Sequence, residues 1–110
     1  MSPEVLRGHL ELLLLAALES GPLHGYAIIQ ELRRRSEGTF DLLEGTIYPA
    51  LHRLERAGLL RSRWRVATGR RRRVYELTPR GWEAFDERRE EWRRFSSGVS
   101  AVLEGMPQAS

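Results

Sequence analysis

Glu44-Gly45-Thr46-Ile47-Tyr48-Pro49-Ala50-Leu51-His52-Arg53-Leu54-Glu55-Arg56-Ala57-Gly58 is the stretch that decides the fold. At helical spacing Ile47, Ala50, Leu51, Leu54 and Ala57 fall on one side, and Thr46, Pro49, Arg53 and Arg56 on the other. One side can pack on a core while the other touches an anionic partner such as a nucleic-acid groove. The remaining chain must then supply support for this helix, a grip on a backbone and a partner subunit. Proline in a helix interior costs about 3 kcal/mol. A helix that begins near Leu43 to Gly45 puts Pro49 about one turn in, where at most one early hydrogen bond is lost. Two readings of Pro49 stand: a stiffened helix start, or a rigid apolar ring offered to a thymine methyl or a sugar.

Downstream, the period changes from helical to alternating. Leu60, Ser62, Trp64 and Val66 share one face and Arg61, Arg63 and Arg65 the other, which predicts a half-buried strand with an arginine outer face. Ala67-Thr68-Gly69 marks a turn, and Arg70 to Leu77 returns as the second strand of a hairpin. Thr78-Pro79 starts the next helix, threonine as N-cap and proline at the first helical position, where its missing N–H is not needed. Phe85, Trp92 and Val99 recur there every seven residues, with Arg88, Phe95 and Val102 interleaved, as in a short coiled-coil seam.

Upstream, Glu4 to Ser20 predicts a helix apolar on nearly all sides, one surface of which, through Leu10 and Leu14, is expected to meet another subunit. Ser20-Gly21-Pro22 ends it. A second helix is expected over about Leu23 to Arg35, with Gly25, Ile28, Ile29 and Leu32 at i, i+3, i+4, i+7 spacing. Its terminal Arg33-Arg34-Arg35 either complements the helix dipole or meets DNA.

At 110 residues and 41% hydrophobic content the chain fits one compact domain. Without cysteine it has no disulfide or thiolate metal site, which suits a reducing cytosol. No signal-peptide pattern opens the chain, and the apolar run Leu12 to Leu18 falls short of the roughly 20 residues a bilayer span needs, so a cytoplasmic protein without membrane contact is expected. All 18 basic side chains are arginine, and the seven between Arg61 and Arg73 give that interval a formal +7 within a net charge of +3. The clustering carries the meaning, because codon bias accounts for the missing lysine. An arginine hairpin by itself is a solvated loop; beside an amphipathic helix with a basic edge it points to nucleic acid.

Three helices, a basic two-stranded wing and a long terminal helix make a winged helix-turn-helix: mainly α with a small β-hairpin. The expected division is a DNA-binding unit over 1–78, a dimerisation helix over 79–105 and a flexible tail over 106–110. Gly21-Pro22-Leu23-His24-Gly25-Tyr26, Glu44-Gly45-Thr46-Ile47-Tyr48-Pro49-Ala50-Leu51, Arg53-Leu54-Glu55 with Gly58-Leu59-Leu60, and Tyr75-Glu76-Leu77-Thr78 with Gly81 together resemble the PadR family of bacterial transcriptional regulators. The likeness runs over most of residues 9 to 82, and a single helix after the wing is similar to the family's short branch. It implies a homodimer that represses transcription, releases DNA on binding a small molecule and dimerises through its terminal and first helices. Family members often place a small polar residue before Glu-Gly-Thr; this chain has Leu42-Leu43, which leaves Asp41 and Glu44 as the candidate capping box.

By motif position Thr46, Tyr48 and Pro49 are candidate DNA contacts, with Tyr48 either a phosphate-positioning hydroxyl or a core edge, and base reading is expected of Thr46, His52 or Arg53. Arg70, Arg71 and Arg72 are the wing residues expected at phosphates or the minor groove. A two-fold dimer predicts an inverted-repeat operator in double-stranded DNA. Trp92, near its symmetry mate in such a dimer, either stacks a planar aromatic effector, as the resemblance suggests, or packs the interface with Phe85, Phe95 and Val99. Trp82 is assigned to the core with Phe85. His9, His24 and His52 show no metal-ligand spacing, no glycine-rich phosphate loop is present, and the acidic residues from Glu83 to Glu91 intersperse with arginine as an ion-paired face, so neither enzyme activity nor a cofactor is expected. The rival reading is a winged-helix module for RNA or protein without operator binding.

Overall fold

The computed structural model describes residues 3–105. The expected tail over 106–110 lies outside them. In chain order the elements are α1 (Pro3–Ala17), β1 (Leu23–His24), α2 (Gly25–Arg35), α3 (Glu44–Arg56), β2 (Leu60–Ala67), β3 (Arg70–Leu77) and α4 (Pro79–Leu103). The strands form one antiparallel sheet in the order β1-β3-β2.

Leu10, Leu14, Leu15 and Leu18 from the first helical segment meet Ile28, Ile29 and Leu32 of α2 and Ile47, Ala50, Leu51 and Leu54 of α3 in a single buried cluster. That cluster corrects one expectation. Leu10 and Leu14 lie inside the protomer's own core, so they offer almost no surface to a second subunit. α1 instead leaves Leu12, Leu13 and Ala16 partly uncovered. Its carbonyl end is tied to α2, where Arg35 Nη1 donates to Ala16 O at 3.1 Å and Arg35 Nη2 to Ser20 Oγ at 3.3 Å. Arg34 and Arg35 also pair with Glu31 at 2.8 and 2.6 Å, so this end of α2 is braced as a helix terminus.

α2 begins two residues later than its periodicity suggests. Leu23 and His24 pair instead with Tyr75 and Val74, adding a third strand to the expected hairpin. His24 then caps α2, its Nδ1 accepting from Ala27 N at 3.2 Å. Thr68 and Gly69 turn the β2–β3 hairpin with φ of 51° and 77°, the left-handed pair that matches strand twist in a two-residue loop. The wing is not half-buried as alternation suggests. Past Ser62 neither face of β2 is covered by another described element, leaving Trp64 53% and Val66 70% exposed.

Thr78 starts α4 as expected: its Oγ1 accepts from Gly81 N at 3.0 Å and donates to Gly58 O at 2.6 Å, joining the end of the α3 turn to the start of the last helix. Gly81 is required there because a Cβ would overlap the Leu59 carbonyl oxygen. Beyond Phe85 no α4 residue is buried, so most of this 25-residue helix leaves the core with its apolar residues uncovered.

Candidate nucleic-acid interface

α3 divides as its sequence demands. Ile47, Ala50, Leu51 and Leu54 are buried, while Thr46, Pro49, His52 and Arg53 lie on the side turned away from the core. Leu43 is the N-cap and gives no side-chain hydrogen bond, so the capping box expected of Asp41 and Glu44 does not form. A leucine has no acceptor, and the helix start is closed by backbone alone, the Leu43 carbonyl taking Thr46 N at 2.9 Å and Ile47 N at 3.1 Å. The positive end of the helix dipole therefore opens toward solvent beside Gly45, a favourable place for a phosphate. Pro49, the sixth residue of the helix, leaves one carbonyl without its usual partner and carries its ring on the outer side.

Tyr48 joins α3 to α2. Its hydroxyl lies where a side chain on Gly25 would be, and its ring tilts toward His52 at 6.4 Å. Burial and the nearby Glu44 carboxylate hold the phenol above its ordinary pKa, so it remains a neutral hydrogen-bond donor at the foot of the exposed face.

The wing arginines do not share one environment. Arg70 and Arg71 are exposed. Arg72 is half-buried with its guanidinium against His24 Nε2. One neutral imidazole cannot accept at both nitrogens, so the Ala27 N–H at Nδ1 and the Arg72 guanidinium at Nε2 draw on a single acceptor. On the wing face that Arg72 shares by register, Arg61 and Arg63 share Glu76, at 3.0 and 3.7 Å.

Arg53 lies 3.7 Å from Glu11 of α1, whose other oxygen accepts Arg88 of α4 at 3.0 Å. Two residues that sequence reasoning did not assign also reach this surface. Arg7, one helical turn before Glu11, lines a concavity with Gly45, Thr46, Pro49 and Arg53. Trp64 lines another, of about 590 Å³, between the wing and Tyr48 and His52. The i, i+4 spacing of Arg7 and Glu11 is the signal that places them together; nothing local marks which helix they face.

The expected subunit seam is narrower than the heptads suggest. Phe85 is buried inside the protomer, and Trp82, assigned to the core, is 42% exposed with its ring edge toward Phe85 at 6.3 Å. Trp92 and Phe95 are 41% and 61% exposed, and Val99 is exposed beyond them. Trp92 stands edge-on to His9 of α1, 5.0 Å between ring centres. Beside it an apolar groove of about 540 Å³ runs between α1 and α4, floored by Leu12, Leu13 and Ala16. Among the described residues no cluster of His, Asp and Glu is placed to hold a metal, and no helix is long and apolar enough to cross a membrane.

A layered three-helix core with a basic wing defines a winged helix-turn-helix, and the family follows from comparison. Residues 14–87 match the transcriptional regulator PadR-like family, and the chain belongs to it. It is 49% identical over 67 residues to a transcriptional regulator of Mycobacterium tuberculosis, an alignment covering 61% of this chain and 60% of that one. A transcriptional regulator from Clostridium thermocellum superposes with a TM-score of 0.81 at 30% identity, covering 91% of this chain and 95% of the other. Bacillus subtilis PadR in complex with operator DNA superposes with a TM-score of 0.64 at 25% identity over 71% of this chain and 45% of that longer one. The family and these relatives are regulators of transcription, not enzymes.

Proposed function

We propose that the chain is a homodimeric repressor that binds an inverted-repeat operator in duplex DNA and is released by a small molecule. The observation that carries the DNA reading is the concavity between α3 and the wing, lined by His52, Arg70, Arg71 and Arg72, with Thr46, Pro49, His52 and Arg53 exposed on the helix. Thr46, His52 and Arg53 read bases; Tyr48, with Pro49 beside it, positions the helix start; Arg70, Arg71 and Arg72 hold phosphates. The operator complex of the Bacillus relative supports the same reading. Trp92, Phe95 and Val99 pack against a second copy, since an uncovered apolar helix face of this kind is satisfied by burial. The groove beside Trp92 admits a planar aromatic effector. Selection of bound duplexes from random DNA tests the reading: an inverted repeat with half-sites about 34 Å apart is expected. Enrichment of structured RNA over duplex, or no enrichment, favours the rival interaction module.

A further inference from the structure

A ladder of side chains leads from α3 out along the inner face of the wing. Glu55 Oε2, on the last turn of α3, accepts Ser62 Oγ at 2.7 Å. Ser62 Oγ in turn accepts Arg73 Nε at 2.8 Å, and Arg73 Nη2 stands 3.8 Å from the same Glu55 oxygen. The Arg73 guanidinium lies 5.3 Å from the centre of the Trp64 ring, and that of Arg71 lies 4.6 Å from it. The register explains the stack: Trp64 faces Arg73 across the hairpin and Arg71 sits two residues on along the same face. Trp64 is outside the buried core, and both of these cations stand against its ring. It lines the concavity that opens between the wing and the exposed side of α3, with Arg71 at its edge.

We propose that Trp64 is a positioning residue for duplex DNA: its ring fixes the Arg71 guanidinium at a height set by the Arg73–Ser62–Glu55 anchor, so that wing and reading helix meet the backbone as one body. The proposal rests on the DNA-binding reading above. An arginine free in solvent loses rotamer freedom when it takes a phosphate, and a side chain already stacked on a ring has lost part of it beforehand. Arg73, spent on Ser62 and Glu55, is the strut; Arg71, which the ring holds by stacking, is the hand that it steadies.

The test titrates a random-sequence duplex, at low salt, against the wild type, Trp64→Leu, Trp64→Phe, Arg71→Ala and the Trp64→Leu/Arg71→Ala double variant. Trp64→Leu is expected to bind roughly fivefold more weakly with an unchanged melting temperature, and Trp64→Phe to recover most of the loss. The double variant should fall within about twofold of Arg71→Ala alone, because both changes remove one interaction. Wild-type affinity for Trp64→Leu, or losses that multiply in the double variant, overturns the proposal. So does a Trp64→Leu protein that loses affinity only because less of it is folded. If the wild type does not bind duplex at all, the DNA reading itself fails, an outcome distinct from these.

Discussion

The guanidinium of Arg53 on α3 lies 3.7 Å from the carboxylate of Glu11 on α1, and that carboxylate is shared with Arg88 of α4. A cation expected to read bases is thus partly neutralised in the free protein, and the group that neutralises it also touches the helix expected to set the dimer. Glu11→Gln removes a negative charge from the DNA side and frees Arg53. Duplexes of any sequence should then bind several-fold more tightly. Folding should lose no more than about 1 kcal/mol, because both pairs are partly solvated. Arg53→Ala should cost about 1–3 kcal/mol on the preferred operator and relax its specificity. Equal losses on all sequences would make Arg53 a phosphate contact instead.

Two glycines in helices should respond in opposite directions to alanine. Gly81 faces the Leu59 carbonyl oxygen at a point where a Cβ cannot fit, and the backbone there joins the α3 turn to α4. Gly81→Ala should destabilise by about 1–3 kcal/mol or more in denaturant titration. Gly8, in α1 with open space around it, should gain about 0.4–1 kcal/mol as Gly8→Ala.

His24 predicts a pH dependence of stability. Burial, and then the Arg72 charge, hold its pKa below the ordinary value near 6.5. The unfolded chain therefore binds a proton that the folded chain refuses. Stability is unaffected above the unfolded pKa and is lost as pH falls from 6.5 toward the lower folded value. His24→Asn keeps an acceptor for Ala27 N and removes the titration, so its melting temperature should be flatter over that window.

Trp92 tests the effector reading. Fluorescence of the wild type should be quenched by planar aromatic compounds, and Trp92→Ala should lose that response together with ligand-induced release of DNA. No quenching by any compound of a broad panel would leave Trp92 as interface packing.

Much of this architecture is written in local patterns. The α3 periodicity, the Thr78-Pro79 start of α4 and the Thr68-Gly69 turn each appear where local chemistry demands them. β1 escapes such reading because two residues are too few to show a period, and its existence depends on Val74 and Tyr75, far along the chain. Leu10 and Leu14 fall on the wrong surface in a sequence reading because a helix apolar all round does not say which side faces inward. Alternation makes Trp64 look half-buried because it records which residues share a face and not whether anything covers it. Glu11 and Arg53 carry no mutual signal, since their meeting is a product of α1–α3 packing.

The central claim, that α3 and the wing grip duplex DNA through its phosphates, is tested most directly by the salt dependence of affinity. If each protomer neutralises about three phosphates, a dimer should give a slope of log affinity against log salt near −5. Each of Arg70→Ala, Arg71→Ala and Arg72→Ala should weaken all sequences alike and make that slope shallower by about 1 for every phosphate left without its arginine. A slope near zero contradicts the account.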